Sequence, residues 1–324
     1  MPSHCLVTGV GGFIGSTLAE ALLSRGDTVL GVDAMTDYYA RDLKDGNLSS
    51  LLGRDGFTFR EVDLASAELS PLLDHAAYVF HYAAQPGVRK SWGPEFAGYT
   101  ENNVLATQRL LEAASGRQLR RFVYASSSSV YGDAVELPVR ETTLPHPISP
   151  YGVTKLAGEH LCGLYARSAG VPTVSLRYFT VYGPRQRPDM AFSRFIRALL
   201  EDREIVIYGD GQQTRDFTYV ADAVEAALEA AQVDLSTPSG RVYNIGGGSR
   251  VSVNTVIGLL QTMTGKTARI NTQPAQPGDA RHTYADCSAA AADLGYHPRV
   301  TLEAGLEAMV QWSLKAATPA RPGR

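Results

Sequence analysis

The sequence predicts an α/β protein: a doubly wound parallel sheet with a smaller, interleaved C-terminal lobe. Three observations predict it. Short apolar runs alternate with helix-periodic segments through residues 1–179. A glycine-rich turn, Thr8-Gly9-Val10-Gly11-Gly12-Phe13-Ile14-Gly15, joins the first run to its helix. Polar and small residues recur at the carboxyl ends of the runs, where ligands of such sheets collect.

His4-Cys5-Leu6-Val7-Thr8 reads as a buried parallel strand. Phe13 to Arg25 follows with helical spacing, Ile14, Leu18, Ala21 and Leu22 sharing a face. Thr28-Val29-Leu30-Gly31-Val32 is the next strand and ends at Asp33. This βαβ unit carries glycines at 9, 12 and 15, which permit the tight turn, the close approach of a pyrophosphate and helix–strand packing. The helix N-terminus receives the phosphate charge. Asp33 is placed to accept from a ribose 2′-hydroxyl and would repel a 2′-phosphate, which favours NAD over NADP.

Further strands are expected at Phe57 to Val62, ending at Asp63-Leu64, and at Tyr78 to Tyr82, ending at Ala83-Ala84. A helix is expected from about Phe96 to Ala114, and a strand from Arg121 to Ala125 that delivers Ser126 to Ser129. Tyr151 to Ser168 reads as a long helix and Thr173 to Tyr178 as a strand ending at Phe179. Beyond that, Arg185-Gln-Arg187-Pro188, Gly209-Asp-Gly211 and Gly246-Gly-Gly248 break the pattern, with helices at Phe192 to Glu201 and Val253 to Thr264. The nucleotide-binding part is expected over 1–179 plus about 216–244, the second lobe over about 180–215 plus 245–315, and a flexible tail over 316–324.

Bulk properties narrow the class. The 324 residues are 44% hydrophobic and 19% charged, as in an ordinary globular protein. A net charge of −3 gives no footprint for nucleic acid or an anionic membrane. Cys5, Cys162 and Cys287 have neither metal spacing nor a disulfide framework. The opening residues lack a basic region followed by an apolar one, and no apolar run is long enough to span a bilayer. A cytoplasmic setting and no bound metal are expected.

The chemistry lies in Tyr151-Gly-Val-Thr-Lys155. Four residues apart on a helix, Tyr151 and Lys155 share a face. A tyrosine normally titrates near about 10. An adjacent ammonium and an oxidised nicotinamide would favour the phenolate, making Tyr151 a general base toward a substrate hydroxyl. Lys155 could also bond the nicotinamide ribose, and Ser127 could donate to the same substrate oxygen.

At this point the chain resembles the extended short-chain dehydrogenase/reductases, specifically the nucleotide-sugar epimerases, over nearly its whole length. The resemblance rests on the glycine turn, His81-Tyr-Ala-Ala84, Asn102-Asn103-Val104, Ser126-Ser-Ser-Ser-Val-Tyr-Gly132 and Ser149-Pro-Tyr-Gly-Val-Thr-Lys155. It continues through Arg177-Tyr-Phe-Thr-Val-Tyr-Gly-Pro184, Thr214-Arg-Asp-Phe-Thr-Tyr-Val-Ala-Asp222, Asn244-Ile-Gly246 and Pro277-Gly-Asp279. It implies a Rossmann sheet, tightly held and recycled NAD, a UDP-sugar or similar substrate, and a homodimer. It implies that Asn102, Phe179 and Asp63-Leu64 also line the cofactor site, that Arg215 meets the diphosphate, and that Asp279 meets a ribose. It implies that Tyr151 takes the sugar 4-hydroxyl proton while C4 gives hydride to NAD, and that hydride returns to the other face of the 4-keto sugar.

Departures within the family refine the expectation. Related dehydratases carry Asp-Glu where this chain has Ser128-Ser129, and related decarboxylases carry Glu at Ser129; serine can replace neither as acid or base. Thr180 to Met190 and Asp33 to Tyr39 are similar to UDP-glucuronate 4-epimerases. Arg187 could pair with a C5 carboxylate, with Thr180 adding a hydroxyl and Arg89, Ser91 and Ser128 as further contacts. UDP-galactose 4-epimerases usually place Arg where this chain has Gln276. Two other readings stand beside this one: a UDP-glucose or UDP-N-acetylglucosamine 4-epimerase, and a non-catalytic NAD-binding regulator.

Overall fold

Seven parallel strands form the central sheet of the computed structural model, which describes residues 2–234 and 239–317. In chain order they are β1 (His4–Thr8), β2 (Thr28–Asp33), β3 (Phe57–Glu61), β4 (Tyr78–His81), β5 (Arg121–Ser127), β6 (Thr173–Tyr178) and, after four short strands of the lobe, β11 (Arg241–Ile245). Those four are β7 (Val181–Tyr182), β8 (Glu204–Tyr208), β9 (Thr214–Asp216) and β10 (Thr218–Tyr219); β12 (Arg250–Ser252) and β13 (Arg269–Gln273) complete the set. The sheet order is β11-β6-β5-β4-β1-β2-β3. The winding direction reverses between β1 and β4, and that switch opens a crevice at the carboxyl ends of the strands.

The strand sequences explain this order. β6 is buried at every position and β5 at all but its last, as befits central strands covered on both faces. β3 is exposed along most of its length and takes the edge. Alternate side chains feed opposite cores. Cys5, Val7, Phe80, Val123, Val174 and Leu176 pack beneath α1 (Phe13–Ser24) and α7 (Val220–Gln232). Leu6, Val79, Phe122 and Tyr124 pack beneath α4 (Ala106–Ala114) and α5 (Pro150–Ala169). Each such fully buried apolar side chain contributes about 1.5–3 kcal/mol.

The remaining helices are α2 (Arg41–Ser49), α3 (Phe96–Tyr99), α6 (Ala191–Leu200), α8 (Val253–Thr264), α9 (Ser288–Leu294) and α10 (Leu302–Ala317). A third core gathers Phe192, Phe195, Ile196 and Leu199 of α6, spaced along one face, against Val256 and Leu260 of α8 and Leu306 and Met309 of α10. After β10, α7 packs on the central sheet, and β11 pairs in parallel with β6.

Two expectations change. The helix expected over Phe96 to Ala114 is continuous, but its middle, Thr100–Leu105, is wound as a π-helix. Asn103 explains the wider turn. Its side chain accepts from Gln85 N (2.6 Å) and donates to Gln85 O (3.0 Å) and to Thr154 Oγ1 (2.9 Å), so the helix is pulled toward both neighbours. Ala316 and Ala317, expected in a flexible tail, belong to α10; the rest of that expected tail, 318–324, lies outside the described residues.

Candidate active site

The glycine turn is built for close approach. Gly9 has φ +73°, and a Cβ there would meet Ala83 N at 2.7 Å; a Cβ on Gly15 would overlap Gly9 O. Gly12 caps α1 without a side-chain bond, and no acid lies in the first turn, so the first amides of the helix keep their donors for a ligand. Gly12, Phe13 and Ile14 line a cleft of about 410 Å³ along the strand ends. An uncapped helix start facing a crevice, with an acid at the end of β2, fits the diphosphate and ribose of a dinucleotide.

Asp33 accepts from Gly11 N (3.0 Å) and Met35 N (2.8 Å), and Lys44 Nζ lies 3.6 Å away with its side chain 6% exposed. Lys44 is a charge that the sequence reading missed. No motif marks it; only the packing of α2 brings it to Asp33, while Asn47 of the same helix donates to Gly11 O (3.0 Å). The repulsion expected between Asp33 and a 2′-phosphate is therefore partly offset. Asp63, Leu64, Ala83, Ala84, Asn102 and Phe179 also line the cleft. Of the paired asparagines, Asn102 faces it and Asn103 is buried in the brace just described.

Ser127, Ser128, Tyr151 and Lys155 lie in the same cleft with Thr180 and Arg187. β5 runs on through Ser127 and so carries the first serines to the sheet edge. α5 starts one turn before Lys155 because Ser149 Oγ accepts from Gly152 N (3.1 Å) and Pro150 occupies the first helical position. Tyr151 packs edge-on against Tyr99, ring centroids 6.3 Å apart, and Tyr99 donates to the carbonyls of Pro86 and Gly87 (2.7 Å each).

The electrostatics correct one expectation. Burial pushes the Tyr151 phenol above its ordinary value; the Arg187 guanidinium and then the Ser127 hydroxyl pull it back, and Lys155 does not figure among the causes. Lys155 is itself buried, its own value pushed down to about 8, and its ammonium sits 4.7 Å above the Tyr124 ring. The arginine is a charge on the phenol that the sequence did not point to.

Arg187 carries a second correction. Its Nε and Nη2 donate to the two oxygens of Asp189 (3.0 Å each), so one edge of the fork expected for a ligand is already held; Tyr38 Oη donates to the same carboxylate (3.3 Å). Arg185, in the left-handed region at φ +69°, grips Glu20 of α1 (2.6 and 2.9 Å) and ties this loop to that helix. Arg89, Arg215 and Asp279 do not line the cleft. Arg89 pairs with Asp279 (2.6 Å) and stacks on Tyr208 (4.1 Å), and both charges act on Arg215. This charged cluster lies next to Val88, at the cleft's edge. Arg89, expected as a sugar contact, is thus engaged by Asp279 and Tyr208. Ser91, the other contact expected from that segment, is fully buried and donates to Val88 O (2.6 Å).

Comparison with known proteins decides the family. The model of the NAD dependent epimerase/dehydratase family matches residues 5–246. The chain belongs to this family. It is an enzyme with a Rossmann-type sheet and NAD as its cofactor. It is 46% identical to the UDP-glucuronic acid 4-epimerase of Bacillus cereus, crystallised with UDP-glucuronic acid and NAD. The match covers 97% of this chain and 99% of that one, at a TM-score of 0.94. An uncharacterised UDP-glucose epimerase of Bacillus subtilis (strain 168) is 46% identical over 93% of this chain and 95% of its own length. The UDP-glucuronate 4-epimerase of Thermodesulfobacterium geofontis is 36% identical over 96% of each chain.

Proposed function

We propose that this family member inverts C4 of a UDP-sugar, and that the sugar is UDP-glucuronate, interconverted with UDP-galacturonate. The observation that carries the reading is one cleft in which Tyr151, Ser127 and the cation of Arg187 lie together with the uncapped start of α1. The glycine turn, Asp33, Asp63, Leu64, Ala83, Ala84, Asn102 and Phe179 would hold NAD, with Lys155 on its ribose. When bound, NAD supplies a hydride acceptor and donor for the carbinol carbon. Tyr151 Oη takes the 4-hydroxyl proton and later returns it, and Ser127 Oγ donates to the same oxygen as its charge changes.

Inversion requires the keto sugar to turn while its nucleotide stays put. Arg215 and Asp279, set outside the cleft, would anchor the nucleotide end. The 4-keto form of a uronic acid is a β-keto acid and loses carbon dioxide when its carboxylate leaves the carbonyl plane. With Asp189 holding the Nε and Nη2 edge of Arg187, Nη1 remains to restrain that carboxylate beside Thr180 and Ser128. No acid replaces Ser128 or Ser129, which leaves neither dehydration nor decarboxylation a proton carrier.

The same reading includes a homodimer, a reducing compartment and the division into a nucleotide-binding body and a substrate lobe. Trp92, Phe96, Leu105, Val153 and Leu164 leave apolar surface on and beside the helices α3, α4 and α5. Cys5, Cys162 and Cys287 are unpaired. No helix among the described residues is long and apolar enough to cross a membrane.

The test is proton NMR of the sugar H4 and anomeric signals after incubation with UDP-glucuronate and, separately, UDP-glucose, without added NAD. Conversion of the glucuronate with little turnover of the glucose is expected. Preferred turnover of UDP-glucose would reassign the sugar, and no turnover with NAD supplied would favour a silent binding protein.

A further inference from the structure

Lys155 is 4% exposed. Among the described residues its ammonium has neither an ion pair nor a hydrogen bond; what it has is the face of Tyr124, 4.7 Å from the ring centroid. Tyr124 is itself 1% exposed, and its buried hydroxyl has Thr107 within reach but makes no regular hydrogen bond. Gly158, one turn beyond Lys155, makes room for it: a Cβ there would overlap the Tyr124 hydroxyl.

Of the other groups around Lys155, Glu159 favours its charged form but makes no bond to it. Glu159, on its own helix, gives both oxygens to Arg177 (2.9 and 2.7 Å) and one also to Ser126. Cys162, also on α5, is held neutral by burial, which pushes its thiol up to about 12. His81 on β4 is held neutral by burial and then by Lys155 itself, with its value pushed down to about 3. Tyr151 is half-buried, and its phenol is raised by desolvation.

We infer that Tyr124 is a positioning residue for Lys155: its ring face holds the ammonium at the cleft by a cation–π contact and keeps it charged there. A carboxylate in the same place would neutralise the lysine and occupy its donors. An aromatic face attracts the cation and leaves its three N–H groups for a ligand. The inference rests on the proposed role of Lys155 beside Tyr151, and it adds the group that makes that role possible in a buried site.

The test replaces Tyr124 by Phe and then by 4-fluoro-, 3,5-difluoro- and 3,4,5-trifluorophenylalanine, which keep the shape while draining charge from the ring face. The first readout is the titration of Lys155 in NAD-loaded protein without substrate, followed by its ¹³Cε resonance and assigned with Lys155→Arg. Tyr124→Phe should titrate close to the parent. The fluorinated series should lower the midpoint stepwise, by roughly half a pH unit to one unit in total. The alkaline limb of UDP-sugar turnover should move with it. A midpoint that stays fixed along the series overturns the inference. A parent enzyme that turns over no UDP-sugar would sink the proposed function, while the titration would still decide the role of Tyr124.

Discussion

At the scale of single residues, the site runs against the cost of burial. Tyr151 must reach its phenolate in a place that disfavours charge, and Arg187 and Ser127 supply the compensation. Tyr151→Phe removes the proton carrier and little packing. It should lower kcat by about 10²- to 10⁴-fold, with NAD content and unfolding temperature unchanged, as read by turnover and by NAD released on denaturation. Arg187→Ala should cost roughly 10- to 100-fold in kcat/KM for UDP-glucuronate and far less for UDP-glucose. Equal losses for both sugars would reassign this arginine to general electrostatics around Tyr151.

At the scale of elements, the π-helical segment joins the two halves of the site. Asn103 holds the Gln85 backbone in the cleft wall and Thr154 on α5, and Thr154 Oγ1 donates to Tyr151 O (2.8 Å). Thr107 donates to Asn103 O (2.7 Å), so it accepts from His81 Nε2 (2.9 Å). His81 Nδ1 then accepts from Thr8 (2.8 Å), whose oxygen receives Tyr82 N and Ala83 N (3.1 Å each). One orientation of protons satisfies the whole chain from β1 to the tyrosine helix. Asn103→Leu strands the Gln85 and Thr154 groups and should destabilise by about 2–4 kcal/mol in urea unfolding, with kcat falling more than KM rises. The alternation of strands and helices was legible from periodicity. The π-turn was not, because Asn-Asn-Val looks helical and only partners on other elements widen the turn.

For the whole molecule, function and stability pull apart. Burial lowers Lys155 to about 8 from its ordinary 10.5. Between those pH values the unfolded chain binds more protons, so stability rises with pH across that window, and below it the full cost of burying the ammonium is present. Lys155→Met should therefore raise the unfolding free energy by about 1–3 kcal/mol at pH 7, an advantage that shrinks toward pH 10.5, while turnover is lost. Denaturant melts at pH 7 and 10 check the sign; a destabilised variant would refute it. The apolar surface of the helices α3, α4 and α5 bears on assembly. Leu105→Glu with Leu164→Glu should convert a dimer to a monomer in light scattering, and a parent that is already monomeric would refute the dimer.

What the sequence by itself determined is local chemistry. Periodicity defined the strands and helices, because burial repeats every two residues in one and every 3.6 in the other. The glycine turn, Ser127, Tyr151 and Lys155 could be read because their spacing along single elements already places them in space. The tertiary structure alone decided which charges meet. Lys44 with Asp33, Asp189 with Arg187, Arg89 with Asp279 and Tyr124 beneath Lys155 are contacts made by packing. Three of the four join residues more than ten positions apart, which no spacing rule relates. The Arg187–Asp189 pair is close in sequence, yet it depends on a loop held in place by Arg185 and Glu20. Electrostatic energies depend on distance and burial, and both exist only once the chain has folded.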